Sequence, residues 1–322
     1  MGEGVWQSEE INGIIMRIFI IVVFLAYLIL EYVNLKCNQR SKKVLFIIHL
    51  FILLSLVLMA GYRDGFRYAD YGNYVNAFYY GSEHVEFSFH LLSDIANRID
   101  HGNYYVLFLL YALLGVSLKS IGIWRMSSFP YASMAMYVSF FYILHELIQI
   151  RVGVASAIGL IALGEIYNKN LFRFLLLIAL AACFHASALF YLPFYFIDCK
   201  SFDWRKWIIY GVLLASCSIV LFSWILPYIS FDFAYGKLVG YTQRAELGID
   251  DQGRLGIYST SQHALLVLYI LFSRKLLKNN RFTYLFIKIL VIGYAIRWAF
   301  LAFNPTLSFR LCELCLIVDF IL

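Results

Sequence analysis

The chain has 322 residues, of which 62% are hydrophobic and 14% charged, and its mean hydropathy is +0.75. Soluble domains hold roughly 45–50% apolar residues, so the composition excludes a soluble globular protein. The formal net charge of +6 comes from short basic segments between apolar runs and requires no nucleic-acid partner.

The first apolar run, Ile14–Leu30, lacks the two-residue alternation of barrel strands and approaches the ~20 residues a helix needs to cross a bilayer. The expected fold class is therefore all-α, a polytopic integral membrane helical bundle. Glu3, Glu9 and Glu10 stand where a cleavable signal peptide would carry basic residues, so this run is expected to stay as a span. Further spans are expected at Val44–Ala60, Tyr104–Trp124, Tyr131–Ile150, Val152–Tyr167, Phe172–Ile197, Trp207–Pro227, His263–Phe272 and Tyr284–Phe303, with an incomplete run at Leu311–Leu322. That makes about ten spans in a single transmembrane domain, 1–322. The last run stops inside apolar sequence, so the C-terminus is expected to be truncated.

Cytoplasmic loops are enriched in Lys and Arg, which assigns Lys36, Arg40, Lys42 and Lys43 to the inside and fixes the rest by alternation. Lys200, Arg205 and Lys206 obey the rule only if Phe172–Ile197 breaks near His185 into a short helical hairpin, with Ser187 as a reasonable N-cap. On this map the outer face carries Arg17, Arg63, Arg67, Arg98, Arg151, Arg244, Arg254, Arg297 and Arg310 but just one lysine, Lys237. Guanidinium groups bind phosphate or carboxylate oxygens in a two-pronged way that ammonium does not. The sorting points to an outer oxyanion site; pairing with the outer carboxylates is the alternative.

Two outer loops, 61–103 and 228–262, are long enough to hold a site. The first is dense in aromatics, among them Tyr68, Tyr71, Tyr74, Phe78, Tyr79 and Tyr80. Such rings stack on sugar faces and also anchor at membrane interfaces, and the composition alone does not choose. The six cysteines lie within or beside spans, and Cys312-x-x-Cys315 on an apolar helix has no second pair, so neither a disulfide nor a metal is expected. Phosphate-loop, dinucleotide and zinc-protease motifs are absent, and no cofactor is expected.

Several short motifs, taken in order, resemble the EpsG/Wzy group of bacterial polysaccharide polymerases. Arg63-Asp64 ahead of Asp70-Tyr71-x-x-Tyr74 resembles the group's first outer loop, and Glu86-Phe87-Ser88-Phe89-His90-Leu91-Leu92 its E-P-x-F-x-x-L stretch. Ile150-Arg151 resembles its I-R-Q segment, Phe184-His185-Ala186-Ser187-Ala188-Leu189 its H-x-S-A-L hairpin, and Arg310 after Asn304-Pro305 a late outer arginine. The likeness runs from about Leu45 onward. Phe87 and Ser88 replace a common Pro and Gly, and Val152 replaces the Gln after Arg151.

The resemblance implies a metal-independent membrane glycosyltransferase that polymerises polyprenyl-pyrophosphate-linked repeat units at the outer face of the plasma membrane, for O-antigen, capsule or exopolysaccharide. The lipid-linked donor and acceptor, the bilayer, a chain-length regulator and a flippase are the partners it implies. Arginines stabilise the departing pyrophosphate: Arg151, Arg254 and Arg310 first, with Arg63 and Arg67 behind them, and Tyr71 and Tyr74 beside the glycan. His185 and Asp70 compete for the role of base, with Glu86 third. A flippase or permease, a membrane O-acyltransferase using His185, and a ligase sharing the donor chemistry are the competing readings.

Overall fold

The computed structural model describes residues 2–63, 68, 70–83, 85–220, 264–272, 275, 280–301 and 305–322. Among them the regular structure is helical, with no strand, and it divides into two compact units, Met1–Tyr195 with Ile321 and Phe196–Phe320 with Leu322.

In the first unit, α1 (Gly2–Lys36) and α2 (Gln39–Gly61) are joined by a tight turn, where the Asn38 side chain accepts the Ser41 N–H at 3.1 Å and caps α2. Both leave rows of large apolar side chains exposed, Ile18, Ile21, Leu25 and Ile29 on α1 and Phe51 and Leu54 on α2. A surface of that kind is stable against lipid rather than water. Two amphipathic helices follow, α3 (Tyr71–Tyr80) and α4 (Phe87–Ile99). On α4 the buried residues Ser88, Phe89, Leu92, Ser93 and Ala96 form one stripe at helical spacing. Both helices are too short to cross a bilayer.

Helix α5 (Tyr104–Met126) is the hub, packing against α2, α4, the short α6 (Pro130–Met136) and α7 (Ile150–Tyr167). Between α6 and α7 the chain runs as a π-helical segment, Tyr137–Ile148, and Gln149 at φ −107°, ψ 60° separates it from α7. Wide π turns of this sort concentrate at functional sites. Helix α8 (Leu171–Phe184) packs along α7. It ends at His185, which is extended (φ −159°, ψ 126°), and a 3-10 helix, Ala186–Phe196, follows. The break thus falls where the sequence places it. The cap differs: the His185 ring, not the Ser187 hydroxyl, takes the first free N–H, with Nδ1 accepting from Ser187 N at 3.2 Å.

In the second unit, Thr283–Leu301 packs against both Trp204–Val220 and Pro305–Leu316. The chain closes in a 3-10 turn, Asp319–Ile321.

Six helices among the described residues are long and apolar enough to span a membrane: Gly13–Lys36, Arg40–Gly61, Tyr104–Met126, Pro130–Ile148, Ile150–Tyr167 and Thr283–Leu301. Leu171–Phe184 and Ala186–Phe196 are shorter apolar helices. The loop expected at 228–262 and part of the Trp207–Pro227 span lie outside the described residues.

Candidate functional site

Three segments distant in sequence meet in one cleft of the first unit. Arg151 stands on the first turn of α7, just past the Gln149 bend, and its guanidinium donates to Glu86 Oε2. It also lies 5.6 Å from the centre of the Tyr74 ring on α3. Glu86 occupies the N-cap position of α4, where a carboxylate ordinarily accepts its own helix's N–H groups. Here it makes no such cap bond. The carboxylate turns instead to Arg151 and, through Oε1 at 3.9 Å, to His185 Nε2.

His185 has a defined orientation. Its Nδ1 lies 2.7 Å from the Ser187 hydroxyl and accepts the Ser187 backbone N–H. A ring nitrogen accepting from a backbone N–H carries no proton, so the hydrogen-bond network assigns the neutral ring's proton to Nε2, the nitrogen facing Glu86. The basic lone pair of neutral His185 is already engaged. Glu86 is the carboxylate of this cleft, its two oxygens turned to Arg151 and His185.

The three side chains are 18%, 20% and 25% exposed for Arg151, Glu86 and His185. That is enough for a ligand to reach them and too little for full solvation. Beside them, a cavity of about 420 Å³ is bordered by Asn73, Tyr74, Asn76, Tyr80, Ser82 and Arg151.

Arg151 is recessed. Gly122 of α5 approaches Leu160 of α7, and Met126 approaches Gly164, so the two helices run parallel with α7 starting about eight residues further along. At 1.5 Å per residue, α7 begins about 12 Å below the Tyr104 end of α5. The sequence places Arg151 at the start of a span, and it is the second residue of a helix, Ile150–Tyr167, long and apolar enough to cross a membrane.

A second ion pair holds this depth. Lys119 Nζ donates to Glu146 Oε1 at 2.6 Å and to the Gly153 carbonyl at 2.9 Å, while Tyr137 donates its hydroxyl to the same carboxylate oxygen at 2.9 Å. One ammonium therefore bridges both sides of the Gln149 bend. Close approach requires glycine at two points: a Cβ on Gly115 would sit 2.2 Å from Glu146 Oε2, and one on Gly153 would sit 2.7 Å from the His145 carbonyl. Sequence reasoning passed over Lys119. The available signal was a lone lysine deep within an apolar span, which is a functional candidate by default.

The remaining sequence candidates fall elsewhere. Arg63 is 2% exposed, donates to the Ala60 carbonyl at 2.6 Å at the end of α2, and lies over the rings of Phe108 (4.2 Å) and Tyr71 (5.4 Å). Burial pushes its guanidinium down to about 10. Tyr71 stacks on Phe108 in the same cluster. Asp70 precedes α3 without a side-chain cap bond, and no ion pair joins it to the Glu86 cleft among the described residues. Arg310 belongs to the second unit, on Pro305–Leu316. Arg297, one of the arginines expected on the outer face, is 3% exposed and lies 5.6 Å from the Phe309 ring. Arg67 and Arg254 lie outside the described residues. No cluster of three or more His, Cys, Asp or Glu side chains able to hold a metal occurs among the described residues.

An arginine, a carboxylate and an imidazole thus share one cleft in a multi-helix bundle whose outer helices face lipid, the architecture of a polytopic membrane protein. The chain belongs to the EpsG family, whose model matches residues 46–322. That family groups it with membrane proteins of the polysaccharide-polymerase type. No curated protein and no solved structure matches it.

Proposed function

We propose that this protein is a metal-independent glycosyltransferase of the bacterial plasma membrane, polymerising polyprenyl-pyrophosphate-linked repeat units for O-antigen, capsule or exopolysaccharide. The convergence of Arg151, Glu86 and His185 carries this reading. The cleft faces the exterior on the topology drawn from the basic loops. Donor and acceptor glycans both reach it on their lipids, and a flippase and a chain-length regulator act before and beside it. The whole chain forms one functional transmembrane domain of about ten spans, with the segment around His185 as a re-entrant hairpin.

The diphosphate of the donor competes with Glu86 for the Arg151 guanidinium. It carries more charge and more acceptor oxygens, and two-pronged Arg–phosphate pairing is among the strong hydrogen-bonded contacts. Its arrival frees the Glu86 carboxylate. The acceptor sugar hydroxyl then attacks the anomeric carbon of the donor, and its proton passes to Glu86. The bond from that carbon to the diphosphate oxygen breaks, and the electron pair leaves on the polyprenyl pyrophosphate, whose growing charge Arg151 stabilises. His185, with its proton at Nε2, orients the carboxylate or the attacking hydroxyl. Arg254 and Arg310 are further diphosphate contacts, and Arg63, Arg67, Tyr71 and Asp70 shape the loop around the glycan. A permease would need charges along an open path; the buried pair Lys119–Glu146 is instead closed off by Tyr137 and the Gly153 carbonyl.

Deleting the gene and running surface glycan on a gel tests the reaction. Single capped repeat units in place of a polymer ladder are expected. Disappearance of outer-leaflet glycan intermediates would instead identify a flippase and sink this reading.

A further inference from the structure

The cavity beside Arg151 has a chemistry of its own. Asn73, Asn76, Ala77 and Tyr80 recur at helical spacing along one flank of α3, and that flank borders the cavity. The opposite flank, through Tyr71, Tyr74 and Phe78, is buried. Asn73 and Asn76 are exposed, and among the described residues neither amide has a hydrogen-bond partner. Tyr80 is 86% exposed. Ala77 keeps the middle of the flank shallow, and the helix stops at Gly81, whose φ of +73° turns the chain across the cavity's edge.

Among the described residues no carboxylate borders the cavity, and the single charged group there is the Arg151 guanidinium. The rest is amide, hydroxyl and aromatic face. A side-chain amide offers both donors and an acceptor and pairs with the adjacent hydroxyls of a pyranose. An exposed tyrosine ring offers a face for the sugar's C–H groups. At about 420 Å³ the space falls within the ~300–1,000 Å³ of small-molecule sites. An anion-binding end joined to a neutral, hydroxyl-reading end matches a glycosyl diphosphate.

Building on the function proposed above, we infer that this cavity holds the sugar joined directly to the donor diphosphate, and that Asn73 and Asn76 determine which sugar is accepted. With the diphosphate on Arg151, the first pyranose extends along the Asn73–Tyr80 flank. Its anomeric carbon then remains at the mouth of the cleft, within reach of an acceptor hydroxyl oriented by Glu86. The two amides set sugar identity; Arg151 is indifferent to it.

The test uses the full-length protein in lipid nanodiscs and two probes, undecaprenyl pyrophosphate alone and the lipid-linked repeat unit extracted from cells lacking the gene. The unmodified protein is expected to bind the glycan-bearing lipid at least tenfold more tightly than the bare lipid. Asn73→Ala and Asn76→Ala should each reduce that preference roughly three- to tenfold, and the double variant should abolish it. Ala77→Leu, which fills the cavity, should do the same. Binding of the bare lipid is expected to persist in all of them, which also shows that they fold. Tyr80→Ala, at an exposed position, is a further variant in which the preference should fall. Equal affinity of the unmodified protein for the two probes overturns the inference. So does a preference that survives the double amide variant and Ala77→Leu, or bare-lipid binding lost along with it. Arg151→Lys should weaken both probes together. If it weakens neither while the amide variants lose the preference, the diphosphate assignment fails and the sugar site stands.

Discussion

Two cation–carboxylate pairs flank the Gln149 bend, through Glu146 before it and Arg151 after it, and differ in how reachable they are. Lys119–Glu146 is sealed, at 0% and 1% exposed, and is further held by the Gly153 carbonyl and the Tyr137 hydroxyl. Arg151–Glu86 is reachable, at 18% and 20% exposed, and its carboxylate has a third neighbour in His185. Burial decides the role. A sealed pair cannot exchange its partner and serves as a fastener; a reachable pair can hand its arginine to a better anion. The first sets the depth and direction of α7's first turn, and the second uses that placement.

The largest expected effect comes from breaking the sealed pair on one side. Lys119→Ala leaves Glu146 buried without its cation, and removing one member of a buried pair costs about 3–5 kcal/mol. Replacing both members with apolar residues, Lys119→Met with Glu146→Leu, should recover most of that stability, because such exchanges are often neutral. Thermal unfolding in detergent checks both. A single variant no less stable than the double would mean that the pair does not fasten the bend.

Next come the reachable residues, where activity rather than stability should fall. Arg151→Lys and Glu86→Gln are each expected to lower polymerisation about 10²–10³-fold, the scale for removing an electrostatic or acid–base group. Unfolding temperature should hardly move, since partly exposed ion pairs contribute at most about 1 kcal/mol. Polymer formed by membranes carrying equal amounts of each variant is the measurement. Full activity in Glu86→Gln would return the role of base to Asp70 or His185.

Glycine at 115 joins the two regions. Gly115→Ala would press a methyl against the Glu146 carboxylate at 2.2 Å, an overpacking expected to cost about 1–3 kcal/mol. The cation that Glu146 shares with Gly153 would then shift, so activity should fall along with stability. Glu146→Gln in the same chain leaves the clash and should rescue neither.

How much of this was legible beforehand depends on what each feature needs. Helicity, the lipid-facing character and the break at His185 follow from local composition and spacing. Glu86, Arg151 and His185 each stand in a short motif, but nothing in their order says that the three meet, since that depends on how α4, α7 and α8 pack. The offset of α7 from the start of α5 was not legible, because it depends on the π segment that precedes α7, and no residue pattern announces a π turn. Arg63 was read as a ligand-binding arginine, yet it is enclosed by Tyr71 and Phe108 and caps the end of α2. Lys119 escaped because an isolated charge in sequence shows no partner until Glu146 arrives from another helix. Arg67 and Arg254 fall outside the described residues, and their part in the site rests on sequence alone.

A third pair in the other unit extends the comparison to the exposed limit. Lys288 is 2% exposed, but its partner Asp198, 3.8 Å away, is 54% exposed. The Ser201 hydroxyl and the Lys200 backbone N–H, ahead of any effect from Lys288, hold the Asp198 carboxyl down to about 2. A carboxylate depressed in the folded state stabilises the protein above the unfolded value near 4 and loses that contribution as pH falls from about 4 to about 2. With the carboxylate largely in solvent, screening leaves little of it. Asp198→Asn should therefore be the mildest change of all. Its effect on unfolding temperature is expected to be barely detectable at pH 7 and to vanish at pH 2, with polymerisation unaltered. A loss at pH 7 as large as that of Lys119→Ala would show that exposure does not grade these pairs.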